Sequence, residues 1–217
     1  MRKRRIAFYG GSFDPVHRGH LAVAHRLTDI FALDEFVLIP AFHAPHKPDR
    51  KPTSALHRYA MLAIASNNER KIHISTIEID LPSKPYTIET LTSIKTRLPE
   101  AEIFFVMGAD SWQDITTWRK WEKVLLMTNH IVVTRPGYLI GFDHVTESVR
   151  ERISDLRDEQ IPRDFDKGGD RVFITNAVDL DISATRIRNL AAANSDAWKR
   201  DVPEEVAKYI EKYDLYK

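Results

Sequence analysis

Two strand patterns with a helical pattern between them occupy the first 40 residues of the chain. Ile6–Tyr9 is an apolar run that ends at Gly10 and Gly11, and Phe36–Ile39 is a second apolar run. Between them, apolar side chains recur at the spacing of one helix face from about Gly19. A strand, a helix and a strand within about 35 residues predict a right-handed βαβ unit, in which the two strands run parallel.

The same alternation continues along the rest of the chain. Because the predicted strands are apolar on both faces, they favour a parallel sheet that is covered by helices on each side. The predicted fold class is α/β, a doubly wound and mostly parallel Rossmann-like sheet that binds ligands at the carboxyl ends of its strands. The later predicted strands are Ile72–Ile79, Ile103–Met107, His130–Thr134 and Val172–Ile174, and the later predicted helices are Ser54–Ser66, Thr87–Leu98, Trp121–Met127, Ala184–Ala193 and Pro203–Tyr213.

Residues 1–217 are predicted to form a single domain, because 217 residues exceed one average domain by less than half. Pro40–Thr53 contains four prolines and a basic end, which predicts a loop. The charge-rich segment 147–171 is expected to be a solvent-exposed helix followed by a mobile loop. The C-terminal part, 183–217, is expected to be helical.

Composition excludes several classes of function. The chain has no cysteine, so disulfides, thiol nucleophiles, iron–sulfur clusters and cysteine zinc sites are excluded. Its net charge is +1, so no overall field attracts nucleic acid or anionic lipid, and neither partner is expected. No apolar run is long enough to span a membrane, and no apolar signal-peptide core follows the basic start. We expect a cytoplasmic protein, and the sequence leaves open whether it forms a homo-oligomer.

The segment Gly10–His20 joins the first predicted strand to the first predicted helix. Its paired glycines allow backbone amides to approach an anion, and the helix N-terminus adds the positive end of its dipole. His17 and His20 can donate imidazole N–H groups to phosphate oxygens, while Gly19 lets a flat base or a phosphate come close. The dinucleotide fingerprint and the Walker loop are both absent from the chain, which disfavours hydride transfer and P-loop hydrolysis.

Two motifs carry a resemblance to a known superfamily. Gly10–His20, with its core His17-Arg18-Gly19-His20, resembles the signature of the nucleotidyltransferase α/β phosphodiesterases. The segment Ile182–Arg188 resembles their second motif, I-S-S-T-x-I-R, and departs from it only at Ala184. Class I aminoacyl-tRNA synthetases have a related first motif, but this chain lacks their K-M-S-K-S loop.

Further segments resemble one family within that superfamily, the bacterial nicotinate-nucleotide adenylyltransferases. They occur in the family's order and, with the two motifs, span nearly the whole chain. These segments are Pro45–Lys47, Pro85–Thr87, Gly108–Ser111 with Thr117–Trp118, and Arg135–Gly137.

The resemblance implies that ATP and nicotinate mononucleotide react to give deamido-NAD and pyrophosphate. It implies donors on the ATP phosphates, with His20 nearest the α-phosphate and Arg188 on the β- and γ-phosphates. Magnesium is expected to bridge the ATP oxygens with few protein ligands, and no protein metal site is expected. The implied catalytic residues are His17, His20, His46 and Arg188. The residues implied to bind ATP are Gly10, Gly11, Ser12, Phe13, His17, Gly19, His20, Lys47, Gly108, Asp110, Ile182, Ser183, Thr185 and Arg188.

The resemblance also implies a pocket for the acceptor. The backbone amides of Thr87 and Arg119 would hold the nicotinate carboxylate, Trp118 would stack on the pyridine ring, and Asp110 would accept hydrogen bonds from ribose hydroxyls. Arg119 stands where the family has tyrosine or another residue, and a backbone contact tolerates that difference. The residues implied to bind the mononucleotide are Ser12, Phe13, His46, Lys47, Thr87, Asp110, Trp118, Arg119 and Arg135.

The sequence leaves other acceptors and other functions open. The acceptor could be nicotinamide mononucleotide, alone or as a second substrate, because the carboxylate is read by backbone amides. A pantetheine-phosphate adenylyltransferase or a glycerol-phosphate cytidylyltransferase would share the two main motifs. A zinc hydrolase could use the pairs His17/His20 and His43/His46, and a non-catalytic nucleotide-binding module is a third alternative. Trp112 and Trp121 are expected to be core residues rather than ligand-stacking ones.

Overall fold

Parallel strands form one seven-stranded sheet with the order β3–β2–β1–β4–β5–β7–β6. The computed structural model describes residues 2–42, 53–81, 83–134, 140–157, 169–178 and 180–217. All six strand pairings in this sheet are parallel. The strands are β1 (Arg5–Gly11), β2 (Glu35–Pro40), β3 (Ile72–Ile74), β4 (Glu102–Gly108), β5 (Asn129–Val133), β6 (Ile153–Asp155) and β7 (Val172–Thr175).

Helices connect the strands and cover the sheet. The α-helices are α1 (Arg18–Ile30), α2 (Ala55–Ala65), α3 (Thr87–Arg97), α4 (Ala109–Gln113), α5 (Trp121–Leu126), α6 (Glu147–Arg150), α7 (Ala184–Ala192) and α8 (Glu204–Lys212). The described residues also form two 3₁₀ segments, Ile115–Thr117 and Asp196–Asp201. Within the described ranges, no helix is both long and apolar enough to cross a membrane.

The core lies on both faces of the sheet, as the continuous apolar strands predict. Ala7 of β1 and Phe104 of β4 belong to one buried cluster, whereas Ile6 and Phe105 belong to the cluster on the other face. Alternate residues of each strand therefore pack against different helix layers. The α/β, doubly wound parallel fold predicted from the sequence is confirmed.

The order of the strands determines where a ligand can bind. The chain passes from β1 outward to β2 and β3, and then returns to the other side of β1 as β4. The connections after β1 and β4 therefore leave the sheet in opposite directions, and a crevice opens between their carboxyl ends. The first motif follows β1, and Gly108 with Asp110 follows β4.

Two edge strands differ from their predictions. The sequence predicts a strand over Ile72–Ile79, but β3 ends at Ile74, because Ser75 Oγ accepts a hydrogen bond from the Ile77 N–H and turns the chain. In segment 147–171, helix α6 has only four residues, and the unpredicted strand β6 pairs with β7. This strand is short, carries Asp155 and lies at an edge, so its apolar signal is weak.

Candidate active site

The two histidines of the first motif lie where β1 gives way to α1. His17 is the flanking residue at the N-terminus of α1, with extended backbone at φ −141° and ψ 170°. It is 3 % exposed. The rings of His17 and His20 stack, with centroids 3.6 Å apart and 23° between their planes. The two histidines of the motif therefore form a stacked imidazole pair at the N-terminus of the 13-residue helix α1.

A backbone contact sets the tautomer of His20. The N–H of His17 donates to Nδ1 of His20 over 3.2 Å. A ring nitrogen that accepts such a bond carries no proton, so the neutral ring has its proton on Nε2. Phe13 packs edge-on against the same ring at a centroid distance of 4.9 Å. Nε2–H is therefore the donor that His20 can offer to an anion.

Gly11 and Gly19 make room for neighbouring rings. A Cβ on Gly19 would lie 3.1 Å from Cε1 and Nδ1 of His17, and one on Gly11 would lie 3.0 Å from Cζ of Phe13. From the sequence, Gly19 was expected to admit a base or a phosphate. The His17 ring packs where a Cβ on Gly19 would lie, and Gly19 also lines the pocket described below, so the approach of a ligand to it stays a prediction.

Phe13 and Ser12 were expected to contact both substrates. Phe13 is 1 % exposed and its ring packs against Tyr9 and His20, so its side chain belongs to the core and its contact with a ligand stays a prediction. Its backbone is left-handed, with φ 47°. The Ser12 carbonyl accepts a hydrogen bond of 2.8 Å from Nη1 of Arg58. The buried side chain of Arg58 therefore holds the loop that follows β1.

The second motif meets the first at the start of α7. Ser183 is the N-cap of this nine-residue helix, and its Oγ accepts a hydrogen bond from the Arg186 N–H at 3.3 Å. The Ile182 Cβ lies 3.7 Å from the point at which Gly19 would carry its own Cβ. The segments at the N-termini of α1 and α7 therefore approach each other, and the free N–H groups of a helix N-terminus favour an anion.

Arg188 joins the two motifs directly. Its Nη1 donates to the carbonyl oxygen of Asp14 over 2.6 Å, and its Nη2 donates to Oγ1 of Thr185 over 3.1 Å. These two contacts fix the plane of the guanidinium group. Of the predicted ATP ligands, Ile182, Ser183, Thr185 and Arg188 all belong to this segment at the start of α7.

A pocket opens between the two motifs at the carboxyl ends of β1, β4 and β5. It combines both histidines of the first motif with the glycine that ends β4. Apolar residues from the segment before α7 form its opposite wall. Its lining residues include Tyr9, His17, Gly19, His20, Gly108, Val133, Thr134, Val178, Leu180 and Ile182.

Asp110 folds back over the end of β4. Its Oδ1 accepts a hydrogen bond of 2.9 Å from the Ser111 N–H. A Cβ on Gly108 would lie only 2.7 Å from that oxygen. The glycine therefore allows the carboxylate to remain beside the strand end, where it is exposed and can accept hydrogen bonds from a ligand's hydroxyl groups.

The two segments predicted to read the nicotinate group lie next to each other. The Arg119 guanidinium stacks over the Tyr86 ring, 4.6 Å from its centroid, and Nη1 lies 3.5 Å from Oε1 of Glu89. The Glu89 side chain also accepts a hydrogen bond from the Tyr86 N–H at 3.0 Å. Thr87 is the first residue of the 11-residue helix α3. The side chain of Arg119 is therefore engaged with Tyr86 and Glu89, which leaves its backbone amide as the predicted ligand contact.

Trp112 lies in the core, as the sequence predicts, since it is fully buried and donates from Nε1 to the carbonyl of Gly141 at 3.0 Å. Trp121 was also predicted to be a core residue, but it is only partly buried and packs against the same cluster as Trp118. Trp118 is likewise partly buried and meets Phe105 of β4 edge-on at 6.5 Å. Its buried Nε1 has no hydrogen-bond partner within the described part of the chain.

Two buried titratable groups lie near these segments. Burial lowers the pKa of His130 in β5 to about 4, although Nδ1 contacts the carbonyl of Thr128 at 2.9 Å. Burial also raises the pKa of Glu78, whose Oε1 accepts a hydrogen bond from the hydroxyl of Thr90 at 3.0 Å. Both groups are therefore biased toward their neutral forms.

Some predicted residues fall outside the described ranges. They are His43, His46, Lys47 and Arg135. Their assignments stay predictions.

Comparisons with known proteins show the family of this chain. The Cytidylyltransferase-like family model matches residues 8–190. A probable nicotinate-nucleotide adenylyltransferase of Thermoanaerobacter is 36 % identical over 217 residues, covering 100 % of this chain and 96 % of that protein. One of Corynebacterium jeikeium is 33 % identical over 207 residues, covering 95 % and 98 %. The chain belongs to the nicotinate-nucleotide adenylyltransferase family. The family resemblance carried by the sequence motifs is thus confirmed.

Solved structures of similarly named adenylyltransferases share the fold. Nicotinic acid mononucleotide adenylyltransferase of Plasmodium falciparum, complexed with NaAD, superposes with a TM-score of 0.74 at 23 % identity, covering 98 % of this chain and 97 % of that one. The same enzyme complexed with APC gives a TM-score of 0.72 at 22 % identity, with the same coverage. A Rossmann-like nucleotidyltransferase fold is therefore shown for this member of the adenylyltransferase family.

Three residues in or around the loop between β1 and α1 were not identified from the sequence as functional. Asp14, Arg58 and Tyr216 are 6 %, 1 % and 9 % exposed. Tyr216 donates a hydrogen bond to Asp14, and Arg58 donates one to the carbonyl of Ser12 in the same loop. Arg58 offered a weak signal, because it is the arginine of a mostly apolar helix, α2. Tyr216 offered none, since it lies 202 residues from its partner Asp14.

Proposed function

We propose that this protein transfers the adenylyl group of ATP to nicotinate mononucleotide, giving deamido-NAD and pyrophosphate. The observation that carries the proposal is the meeting of the two motifs around one pocket, where Ile182 packs beside Gly19 and Arg188 bonds to Asp14. Two helix N-termini and two imidazoles converge there, which suits a polyphosphate. The relatives' names support the choice of substrates.

The proposed reaction needs alignment more than it needs a base. An oxygen of the mononucleotide's phosphate attacks the α-phosphorus of ATP, and the bond from that phosphorus to the bridging oxygen of the β-phosphate breaks. The electron pair leaves with pyrophosphate. Since the attacking phosphate is already an anion, no side chain has to remove a proton. The protein must hold the two phosphates in line and stabilise the charge that spreads over the transferring group.

The residues around the pocket can supply that stabilisation. His20 would donate its Nε2–H to the α-phosphate, and His17 would donate to a neighbouring oxygen. Arg188 and the N-terminus of α7, beginning after Ser183, would bind the β- and γ-phosphates. His46 and Lys47 are proposed to add further donors.

The acceptor would bind beside Trp118. The ring of Trp118 would stack on the pyridine ring, and the amides of Thr87 and Arg119 would donate to the nicotinate carboxylate. The contact of Arg119 with Tyr86 and Glu89 supports this arrangement, because it joins the two segments that carry these amides.

Magnesium is proposed to bind through the ATP oxygens. Within the described ranges, no group of three or more histidine, aspartate or glutamate side chains is arranged to hold a metal ion. Magnesium usually retains water and substrate oxygens as ligands, so few protein contacts are required. A cytoplasmic location is a further proposal that rests on the sequence alone, and the sequence leaves the formation of a homo-oligomer open.

Pyrophosphate release on mixing the protein, ATP, Mg²⁺ and nicotinate mononucleotide tests the proposal. Deamido-NAD identified by mass in the same reaction is the expected result. Release with ATP and pantetheine phosphate, or with CTP and glycerol phosphate, and none with ATP and nicotinate mononucleotide, would indicate another function of the superfamily instead. No release with any acceptor would contradict enzymatic adenylyl transfer altogether.

A further inference from the structure

Three distant parts of the chain converge on Asp14 in the first motif. The hydroxyl of Tyr216 donates to Oδ1 over 2.7 Å, and the Thr53 N–H donates to Oδ2 over 3.3 Å. Arg188 donates from Nη1 to the backbone carbonyl over 2.6 Å. Asp14 is 6 % exposed, so each of these contacts is made largely out of water. Hydrogen bonds to a charged group are stronger than neutral ones in such surroundings.

A buried arginine ties this arrangement to the rest of the loop. Arg58 donates from Nη1 to the carbonyl of Ser12 over 2.8 Å and from Nε to the carbonyl of Thr53 over 2.9 Å. Burial lowers the pKa of its guanidinium, and the carboxylate of Asp14 opposes that shift. We call Asp14, Thr53, Arg58, Arg188 and Tyr216 together the Asp14 network.

Tyr216 is the member of the Asp14 network that lies beyond the C-terminal end of α8 and contacts the loop between β1 and α1. It is 9 % exposed, and its backbone is left-handed with φ 71°. Burial and the neighbouring Asp14 carboxylate raise the pKa of its phenol, so the hydroxyl keeps its proton and remains a donor. Without that hydroxyl, Oδ1 of Asp14 would lose its donor inside the protein.

We propose that Tyr216 is a positioning residue for adenylyl transfer, which acts through Asp14 on Arg188. The inference rests on the proposed function and extends it to a residue outside both motifs. Because Tyr216 holds the carboxylate of Asp14, it fixes the orientation of the peptide group whose carbonyl receives the Arg188 guanidinium. A small rotation of that peptide group would turn the guanidinium away from the β- and γ-phosphates. Such a displacement weakens transition-state binding without removing any group that touches the substrate.

The test compares Tyr216→Phe in the wild-type and Arg188→Ala backgrounds. In the wild-type background, kcat/KM for ATP should fall roughly tenfold, while KM for the mononucleotide changes less than twofold. In the Arg188→Ala background the same substitution should change kcat/KM for ATP by less than twofold, because the group through which Tyr216 acts is absent. A general structural role would lower activity by the same factor in both backgrounds, and that outcome would overturn the proposal. A loss of less than twofold in the wild-type background would overturn it as well.

Tyr209→Phe is the matched control. It removes a tyrosine hydroxyl from α8, a few residues before Tyr216, where Oη contacts Nδ1 of His57 at 2.9 Å and not Asp14. Its kinetic constants should equal those of the wild type. Should Tyr216→Phe fail to fold, Asp14→Asn takes its place in both backgrounds, with the same pattern expected and the same outcomes against it.

ATP affinity separates this inference from the proposed function. Calorimetry on the same four proteins should show that Tyr216→Phe weakens ATP binding at least threefold only when Arg188 is present. That pattern would support the positioning role even if the wild type released no pyrophosphate with nicotinate mononucleotide, a result that would contradict the function alone. Equal weakening in both backgrounds, or none in either, would overturn the positioning role.

Discussion

The guanidinium of Arg188 donates a 2.6 Å hydrogen bond to the carbonyl of Asp14, across 174 residues of sequence. This bond connects the segment after β1 with the helix that begins after Ser183. The two motifs recognised in the sequence are therefore parts of one site, and each holds the other in place. Substitutions in either motif should affect the handling of the same substrate, ATP.

His20→Ala should lower kcat by about two to three powers of ten while the protein stays folded. The reason is the loss of the Nε2–H donor at the N-terminus of α1, and one transition-state donor contributes roughly 3–4 kcal/mol. Steady-state pyrophosphate release measures the effect. His25→Ala is the control, because His25 is an exposed residue of the same helix that pairs with Glu69. Normal turnover in a folded His20→Ala protein would remove His20 from the chemistry.

Gly19→Ala should reduce kcat/KM for ATP about tenfold without lowering the melting temperature. Alanine favours a helix over glycine by about 1 kcal/mol, but its Cβ would press on the His17 ring from 3.1 Å. Activity should therefore fall without a matching fall in stability. The control is Gly141→Ala, where a Cβ would meet nothing within 4 Å. Unchanged kinetics for Gly19→Ala would show that the position of the His17 ring is unimportant.

Trp118→Ala should raise KM for the mononucleotide at least tenfold and leave KM for ATP nearly unchanged. Stacking on a heterocycle contributes about 1–3 kcal/mol, and Trp118 is the partly buried tryptophan of the predicted acceptor segment. Trp118→Phe should recover part of the loss, since an aromatic face is restored. If KM rises equally for both substrates, the role of Trp118 is to pack against Phe105 instead.

The buried His130 should make the protein less stable in acid. Its pKa is about 4 in the folded state, against about 6.5 in an unfolded chain. Between these values the unfolded chain binds more protons, so the free energy of unfolding should fall as the pH drops from about 6.5 to about 4, by about 3 kcal/mol in total. Urea denaturation across this range, compared with His130→Gln, measures the contribution. A pH dependence as steep in the variant as in the wild type would contradict the assignment.

Local patterns were enough to predict most of the fold. The apolar run Ile6–Tyr9, the glycines after it and the next run Phe36–Ile39 defined a βαβ unit, because strand and helix periods can be read in single segments. The end of β3 could not be predicted, since it depends on a side-chain hydrogen bond from Ile77 to Ser75. Strand β6 was missed because pairing with β7 stabilises it more than its own composition does.

The site shows the same division. His17, His20 and Ser183 belong to motifs that lie at the start of predicted helices, so their place at helix N-termini could be predicted. The Asp14 network could not, because it is assembled from residues far apart in the chain. Tyr216 in particular carries no local pattern that distinguishes it from a core tyrosine. The contact of Gly19 with the His17 ring also needed the structure, since the sequence does not show which side chain packs where a Cβ would lie.

The preference between the two mononucleotides tests the central claim most directly. The amides of Thr87 and Arg119 suit a carboxylate, whereas a carboxamide would direct its own N–H₂ at one of those donors. Such mismatches cost about 1–3 kcal/mol each, so a difference near 3 kcal/mol is expected. Pyrophosphate release with ATP and each mononucleotide in turn measures kcat/KM for both. We predict at least a 100-fold preference for nicotinate mononucleotide, on the basis of those mismatches, and comparable values for the two compounds would contradict the account.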